Sequence, residues 1–312
     1  MSITVVGSVA FDAVKTPFGE RERMLGGAAT YFALAASFFD QVHVVGRVGP
    51  DFGDDELAVL ATRGTDVADV ERVADGKTFF WAGEYGWDLN TRDTLDTQLG
   101  VFEDFQPKLS AASRDCDALF LANIQPELQL SVLEQCGETK FVAMDSMNFW
   151  IESARDALIE VIKRVDCVVL NDAELRQLTE RPSIVAAARD VLALGPSSVV
   201  AKQGEYGAAL ITEDQFFSLP AFPLETVIDP TGAGDTFAGG FVGFLARQLD
   251  RPLTEPVLRQ AMAYGTALAS FTVEEFGTER VQRMGASEID SRVDELRRIT
   301  HFEHVAVPLE TS

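Results

Sequence analysis

The sequence predicts an α/β fold with a central, mainly parallel sheet, helices on both faces of that sheet, and a small β lid. Three observations predict it. Short, nearly continuous apolar runs recur along the chain, helical patterns separate several of them, and the region from about 66 to 100 breaks this alternation. Continuous apolar runs are typical of strands buried on both faces, and alternation of strand with helix indicates parallel pairing.

The apolar runs are rich in β-branched residues and have the length of strands. They lie at 3–7, 42–46, 118–122, 141–145, 167–171 and 198–202, with helical patterns at 28–39, 151–162 and 183–194. Asp145, Asn171 and Lys202 end three of these runs. Because ligands bind at the carboxyl ends of parallel strands, these polar residues indicate a binding site at that edge.

The region from about 66 to 100 is rich in β-formers and aromatic residues with polar interruptions. We expect it to form an antiparallel flap, joined by part of 10–25, that acts as a lid excluding water from the site. Trp81, Tyr85 and Trp87 fit either stacking on a substrate or packing of the small sheet itself.

Composition indicates one domain over 1–312, since 46% of the 312 residues are hydrophobic and low-complexity tracts are missing. The net charge of −23 argues against nucleic acid or an anionic membrane as partner. Three cysteines without a C-x-x-C pattern support neither a disulfide framework nor a zinc site. The sequence has no apolar run long enough to span a membrane, so we expect a cytoplasmic protein.

The segment D-P-T-G-A-G-D at 229–235 leads directly into an apolar helical pattern. Gly232, Ala233 and Gly234 let backbone amides approach a ligand closely, and a helix start favours an anion. Asp235 beside such an anion site suits a base that removes a proton from a hydroxyl. The pattern therefore indicates phosphoryl transfer to an alcohol, although a plain helix cap and turn would use the same residues.

Other function classes fit less well. The dinucleotide fingerprint fails in its last spacing, and the chain has no G-x-x-x-x-G-K-[ST] motif. A ligand-binding sensor on a kinase scaffold is a further alternative, but such a protein has no need of a base at Asp235.

Several ordered segments resemble the ribokinase family, also called the phosphofructokinase-B (PfkB) carbohydrate kinase family, over essentially the whole chain. They are V-V-G-S-V-A-F-D near the start, Gly26 and Gly27 before a small-residue helix, G-R-V-G-P-D-F-G at 46–53, N-D-A-E at 171–174, K-Q-G-E-Y-G at 202–207, and D-P-T-G-A-G-D. The resemblance implies a ribokinase-like three-layer α/β/α fold and an ATP- and Mg²⁺-dependent kinase acting on a primary alcohol of a sugar or sugar derivative, with a nucleoside as the alternative acceptor.

The resemblance also implies roles for single residues. Asp235 would be the base, and the amides of Gly232, Ala233 and Gly234 would stabilise charge on the transferred phosphoryl group. Residues expected to contact ATP or its Mg²⁺ are Asn171, Glu174 (through Mg²⁺-bound water), Lys202, Gly204, Glu205, Thr231 and Gly277. Asn171 with Glu174 fits a helix N-cap with a first-turn carboxylate equally well.

For the acceptor, the resemblance places Asp12 at the end of the first strand, where it accepts hydrogen bonds from substrate hydroxyls. The other expected acceptor-site residues are Gly26, Gly27, Tyr31 and Asp51. Here the chain departs from the sugar-kinase pattern, because Ala10 and Tyr31 stand where relatives often carry asparagine. This departure leaves room for another sugar, or for a nucleoside whose base stacks on Tyr31 or Trp81.

Two further expectations come from the resemblance. The small-residue stretch 263–277 reads as a helix ending at Gly277 beside the adenine, and Asp229 lies where some relatives hold a monovalent cation such as K⁺. Exposed aromatic residues on the lid would also allow a homodimer through the lids.

Overall fold

The computed structural model of the chain describes residues 1–303, so 304–312 of the predicted domain lie outside it. The strands are β1 (Ser2–Val6), β2 (Ala10–Thr16), β3 (Gly19–Gly26), β4 (Gln41–Val48), β5 (Val70–Arg72), β6 (Phe79–Tyr85), β7 (Arg92–Gln98), β8 (Ala118–Leu121), β9 (Phe141–Met144), β10 (Cys167–Asn171), β11 (Ser198–Lys202), β12 (Ala208–Ile211) and β13 (Phe216–Leu219). The α-helices are α1 (Ala28–Ala36), α2 (Asp54–Leu60), α3 (Ala111–Arg114), α4 (Pro126–Gln135), α5 (Asn148–Ser153), α6 (Arg155–Ile162), α7 (Asp172–Thr179), α8 (Ile184–Leu192), α9 (Ala233–Ala246), α10 (Glu255–Thr272), α11 (Glu279–Arg283) and α12 (Ala286–Thr300).

Within residues 1–303, nine strands form a large sheet with the order β13-β12-β11-β10-β9-β8-β1-β4-β5. Pairing is parallel from β11 through to β5, and β12 and β13 extend one edge antiparallel. Each predicted apolar run is one of the parallel strands, which confirms the mainly parallel sheet. Because β1 pairs with β4 on one side and β8 on the other, the strand order changes direction there and opens a crevice at the carboxyl ends.

Side chains on the two faces of the large sheet enter two separate cores. Ile3 and Val5 of β1 belong to the core that includes residues of α1, α9 and α10. Val6 belongs to the opposite core, with Val132 of α4 and Leu158 of α6. This period-two alternation gives a three-layer α/β/α arrangement, as the sequence predicted.

A small sheet of four strands, within the part of the chain described, has the order β3-β2-β6-β7. Its composition corrects two expectations. The central pair β2–β6 is parallel, so the small sheet is mixed rather than antiparallel. The predicted lid began near 66, but β5 pairs with β4 in the large sheet, because Val70 is buried in the main core.

The position of Asp12 also differs from the expectation. The sequence predicted it at the end of the first strand, but β1 ends at Val6 and Asp12 is the third residue of β2 in the small sheet. The apolar run ends at residue 7, and Gly7 and Ser8 separate β1 from β2. Asp12 therefore belongs to the small sheet, not to the edge of the large one.

Helix α9 is fixed between α1 and α10 by glycines. A Cβ on Gly239 would lie 2.4 Å from the carbonyl oxygen of Phe32, and one on Gly240 would lie 3.0 Å from the Cα of Gly265. Side chains at these positions would push the helices apart. The small residues thus hold the N-terminus of α9 in place at the crevice.

Two predicted helices have different bounds. The pattern over 151–162 is divided at Ala154, whose φ of −138° and ψ of 34° interrupt the helix. The stretch 263–277 belongs to α10, which ends at Thr272; the Val273 carbonyl then accepts a hydrogen bond from the Ile228 amide at 2.8 Å. Gly277 follows in a turn instead of ending the helix.

Cys116 and Cys167 are buried, Cys136 is half-buried, and all three carry free thiols. Among the helices of residues 1–303, none combines the length and apolar character needed to cross a bilayer.

Candidate active site

The loop before α9 is shaped by a buried carboxylate. Asp229 accepts hydrogen bonds from the Thr231 amide at 2.9 Å and from the Gly277 amide at 3.0 Å. These contacts bring the turn after α10 against the start of α9. Gly232 then adopts a left-handed conformation with φ of 74°, which favours glycine, and serves as the N-cap of α9.

The first turn of α9 presents the predicted amides. Amides in the first turn of a helix have no partner within the helix and favour an anion. The Ala233 amide donates weakly to the Pro230 carbonyl at 3.3 Å. Gly234 lies beside a cation, since a Cβ on it would be 3.1 Å from Lys202 Nζ. Two backbone amides and one ammonium group therefore converge where an anion can bind.

Asp235 lies in the same first turn, next to these donors. Burial and the charge of Asp145 raise its pKa to about 7, while Lys202 and Arg92 act in the opposite direction. A carboxylate with this pKa can accept a proton near neutral pH and release it again. The position and protonation of Asp235 fit the predicted base.

Asp12 forms the opposite side of the crevice. Its carboxylate packs against Gly26, where a Cβ would lie 2.0 Å from Asp12 Oδ2. Burial, followed by the charges of Asp229 and Asp235, raises the pKa of Asp12 to about 7, against a hydrogen bond from the Gly27 backbone. Gly27 has φ of 95° and precedes α1, with no space for a side chain because a Cβ would lie 2.4 Å from the Ser8 carbonyl. Asp12 is thus near enough to Asp235 for their charges to interact, and the backbone of Gly26 lies against its carboxylate.

A second group of residues lies at the ends of β9, β10 and β11. Lys202 Nζ pairs with Asp145 Oδ2 at 2.7 Å. Burial alone would lower the pKa of Lys202, but the carboxylates of Asp145, Glu174 and Asp235 outweigh it and raise that pKa above its usual range. Lys202 therefore stays charged and links this group to the base.

Asn171 and Glu174 form a capping box at the start of α7. Asn171 Oδ1 accepts from the Glu174 amide, and Glu174 Oε2 accepts from the Asn171 amide, each at 2.8 Å. Burial and the charge of Asp145 raise the pKa of Glu174 to about 7. The capping alternative is confirmed, and the second carboxylate oxygen of Glu174 is available for a further ligand.

The small sheet reaches the site at two points. The Thr231 hydroxyl donates to the Tyr85 oxygen at 3.2 Å, and Asn90 Nδ2 donates to Glu205 Oε1 at 2.8 Å. Arg92 of β7 lies opposite Tyr85 in the register, and its guanidinium is 5.2 Å from the centre of the Trp81 ring. The small sheet therefore contacts both the loop before α9 and the turn after β11.

The predicted aromatic and acceptor residues differ in their burial and in their contacts. Trp87 is 89% exposed, whereas Tyr85 and Tyr31 are buried. Asp51 binds the residue before β6, because its Oδ1 accepts from the Thr78 amide at 2.8 Å and from the Thr78 hydroxyl at 2.7 Å. Arg23 also donates to the Asp51 carbonyl at 2.9 Å. These contacts join the loop after β4 to β3 and β6.

Gly204 lies in the turn after β11, beside Asn90, with φ of 57°.

Two residues of the site were not predicted as such from the sequence. Arg92 was not assigned to it, and Asp145 was identified only as a strand-end residue. Asp145 could have been found from that position. Arg92 could not, since every residue of β7 is exposed and its single apolar residue, Leu95, gives no periodic pattern.

Comparison with known proteins identifies the family of this chain. A model of the pfkB family of carbohydrate kinases matches residues 2–283. This chain belongs to the pfkB carbohydrate kinase family. As a member of that family it is an ATP-dependent kinase, and kinases of the family use ATP with Mg²⁺.

Relatives of this pfkB kinase include a cytidine kinase of Thermococcus kodakarensis, 31% identical over 82% of this chain and 92% of the relative. A nucleoside kinase of Methanothermobacter thermautotrophicus is 26% identical over 89% of this chain and 91% of the relative. The chain thus spans nearly the whole length of both relatives.

Solved structures share the fold. A Burkholderia thailandensis nucleoside kinase in complex with inosine has a TM-score of 0.77 at 20% identity, covering 94% of this chain and 97% of that one. An Escherichia coli putative ribokinase II in complex with ATP and Mg²⁺ has a TM-score of 0.73 at 19% identity, covering 94% and 99%. The ribokinase-like fold is therefore confirmed.

Proposed function

We propose that this kinase transfers the γ-phosphoryl group of ATP to the primary hydroxyl of a nucleoside. The observation that carries the proposal is the placement of Asp235 in the first turn of α9, beside the anion site and across from Asp12. The relative named as a cytidine kinase supports a nucleoside as the acceptor. A free sugar is the second candidate, because the matching family is described as carbohydrate kinases.

Asp235 would take the proton of the acceptor hydroxyl while the oxygen of that hydroxyl attacks the γ-phosphorus. The bond between the γ-phosphorus and the oxygen of the β-phosphate would break in the same step. The amides of Gly232, Ala233 and Gly234 would stabilise charge on the transferred group, and Lys202 would add a positive charge beside Gly234. The Ala233 amide now donates to the Pro230 carbonyl, so this hydrogen bond would have to break before the amide could bind phosphate.

The residues around Glu174 suit the metal that accompanies ATP. Glu174 is 8% exposed and has one oxygen left after capping, with Asp145 near it, and carboxylate oxygens are the ligands Mg²⁺ prefers. Mg²⁺, when bound with ATP, neutralises phosphate charge. Glu174 would hold its water shell, with Asn171 keeping that carboxylate in place.

The remaining predicted contacts fit around the same crevice. Thr231 and Gly277 flank the loop before α9, and Gly204 and Glu205 form the turn after β11. We assign these residues to ATP. Asp12 would accept a hydrogen bond from a non-reacting acceptor hydroxyl, with Gly26 and Gly27 allowing the sugar to approach.

The small sheet serves as the lid in this proposal, because Tyr85 and Asn90 already connect it to Thr231 and Glu205. Trp87 on the lid is 89% exposed and Leu95 is 61% exposed, which supports a homodimer through the lids. Light scattering on the purified protein would test this, since a monomeric mass would contradict it.

A K⁺ ion beside Asp229 is a further part of the proposal. Asp229 is fully buried, burial raises its pKa, and within residues 1–303 it has no ion pair. A cation there would offset the cost of burying its charge. Equal turnover in K⁺ and in choline buffers would contradict the proposed K⁺ site.

Free thiols and the use of ATP support a place in the cytoplasm.

The first test is turnover of Asp235→Asn with ATP, Mg²⁺ and a panel of nucleosides and sugars. Without the base, kcat should fall by about 100- to 10,000-fold, while ATP binding measured by calorimetry should change little.

Asp190→Asn is the matched control, because Asp190 pairs with Arg181 on the outer surface of the molecule. It should keep wild-type turnover. Near-normal kcat for Asp235→Asn would contradict the assignment of the base, and a silent wild-type protein that binds ATP would favour the sensor alternative.

A further inference from the structure

Cys116 and Cys136 meet at the edge of the large sheet opposite the crevice. Cys116 lies just before β8, and Cys136 is the C-cap of α4. The Asp117 carbonyl accepts hydrogen bonds from the Lys140 amide at 3.0 Å and from the Phe141 amide at 3.2 Å. These bonds tie the start of β8 to the chain that follows α4. The amino end of β8 and the C-terminus of α4 are therefore neighbours.

The two thiols are in hydrogen-bonding contact. The Cys136 thiol donates to Cys116 Sγ, and Thr139 Oγ1 lies 4.0 Å from the same sulfur. Both side chains border one core, with Val132 of α4. Cys116 is 4% exposed and Cys136 is half-buried, so a small solute reaches the pair from the Cys136 side. The fold thus brings together two cysteines that no C-x-x-C pattern joins.

This contact makes one of the two thiols more acidic. The hydrogen bond from Cys136 lowers the pKa of Cys116 to about 7, against burial and with help from Thr4 and Thr139. The hydrogen bond to Cys116, followed by burial, raises the pKa of Cys136, so Cys136 keeps its proton. Burial raises the pKa of Cys167 to about 12. A thiolate beside a thiol is the arrangement from which a disulfide forms, and Cys116 with Cys136 provides it.

We propose that Cys116 and Cys136 are a redox-sensitive pair that a peroxide converts into a disulfide, which fastens the end of α4 to the start of β8. The Cys116 thiolate attacks one oxygen of hydrogen peroxide, the O–O bond breaks, and hydroxide leaves, so that Cys116 becomes a sulfenic acid. The Cys136 sulfur then attacks the Cys116 sulfur, the S–O bond breaks, and water leaves with the proton of Cys136. The pair loses two electrons, and the peroxide is reduced to two molecules of water.

The disulfide would lie away from the crevice. Cys116 precedes a parallel strand, whereas Asp145 follows the carboxyl end of β9 and Lys202 ends β11. The new bond closes a loop that contains β8 and α4, and such a bond stabilises mainly by restricting the unfolded chain. We therefore expect oxidation to raise thermal stability and to leave turnover unchanged. The pair needs neither ATP nor an acceptor, so its oxidation is independent of the proposed function.

The experiment treats the reduced, full-length protein with hydrogen peroxide and then maps its thiols. Wild type should lose two of its three thiols and the mass of two hydrogen atoms. Its peptide map should contain Cys116 joined to Cys136, and dithiothreitol should restore all three thiols. Differential scanning calorimetry should give an oxidised protein whose Tm is higher by at least about 3 °C.

Cys136→Ala removes the thiol that closes the disulfide. In this variant Cys116 should stop at the sulfenic acid, which dimedone labels, and peroxide should no longer raise the Tm. Cys167→Ala is the matched control, because Cys167 is a buried cysteine inside β10. It should form the same disulfide with the same rise in Tm. The peptide map of wild type decides the pairing even where a variant folds poorly.

Four results would overturn the proposal. The first is a wild-type protein that keeps all its thiols in peroxide, and the second is oxidation that ends in sulfinic or sulfonic acid without a cross-link. The third is a cross-link through Cys167 or between two copies of the chain. The fourth is a bond between Cys116 and Cys136 that leaves the Tm unchanged or lowers it, because such a bond would not fasten α4 to β8.

Discussion

At the scale of single residues, the protonation of the site is set by several buried carboxylates and few positive charges near them. Asp12, Asp235 and Glu174 each have a pKa of about 7, and burial is the largest cause for all three. Lys202 is the cation that pairs directly within this group, through Asp145. The protonation of the base should therefore depend on Lys202.

Lys202→Met should move the pH profile of kcat/KM to higher pH. On the proposed function turnover requires ionised Asp235, so activity should rise as pH passes through its pKa of about 7. Loss of Lys202 removes a charge that lowers this pKa, so the rising limb should shift upward and activity at pH 7 should fall at least about tenfold. Steady-state kinetics across pH would measure the shift.

Lys163→Met is the control for this change, because Lys163 pairs with Glu160 on the surface at 2.6 Å. Its pH profile should match that of wild type. If kcat/KM of Lys202→Met is lower at every pH but its pH profile does not shift, Lys202 does not set the pKa of Asp235. Its remaining role would then be to bind phosphate.

At the scale of elements, the small sheet brings a charged side chain that the rest of the fold does not supply. Arg92 of β7 opposes Tyr85 of β6, and its charge acts to lower the pKa of Asp12, Glu174 and Asp235 against burial, which remains the largest effect on each. The position of the small sheet therefore affects the protonation of these three carboxylates through Arg92.

Arg92→Ala should lower kcat/KM by about 10- to 100-fold near pH 7, because Asp235 loses a neighbouring cation that lowers its pKa and is then less ionised. Lys15→Ala is a suitable comparison, since Lys15 is a cation of the same sheet that pairs with Glu84 at the surface. Turnover of Arg92→Ala equal to that of Lys15→Ala would show that Arg92 does not act on the site.

The two sheets also show what sequence patterns can predict. The parallel strands were identified because their residues are buried on both faces of the sheet, as Val5 is in one core and Val6 in the other. Strand β7 is exposed throughout, so its residues carry no periodic signal, and its Arg92 was missed. Asp12 was placed on the wrong strand because the family resemblance set its position, although Gly7 and Ser8 end the first strand before it. Motifs with fixed local geometry, such as the start of α9, were predictable; pairings between distant elements were not.

At the scale of the whole molecule, the net charge of −23 acts on stability. Like charges repel in the compact state, and salt screens exposed charges within about 10 Å at 0.1 M. We expect the Tm to rise by at least about 2 °C between roughly 0.05 and 1 M salt. Differential scanning calorimetry in KCl and in choline chloride would measure this.

Equal rises in both salts would indicate screening. A rise confined to KCl would instead indicate a bound K⁺, as proposed beside Asp229. A Tm that stays constant or falls in both salts would contradict the expectation that charge repulsion limits stability.

The carboxylates of Asp12 and Asp235 belong to different parts of the fold. Asp12 belongs to the small sheet, whereas Asp235 belongs to the helix that is packed into the body. An acceptor that binds both carboxylates ties the small sheet to the body, so its binding energy is available to hold the site closed. Water is too small to span the two groups and gains no such help. On the proposed function, this arrangement would favour phosphoryl transfer to the acceptor over hydrolysis of ATP.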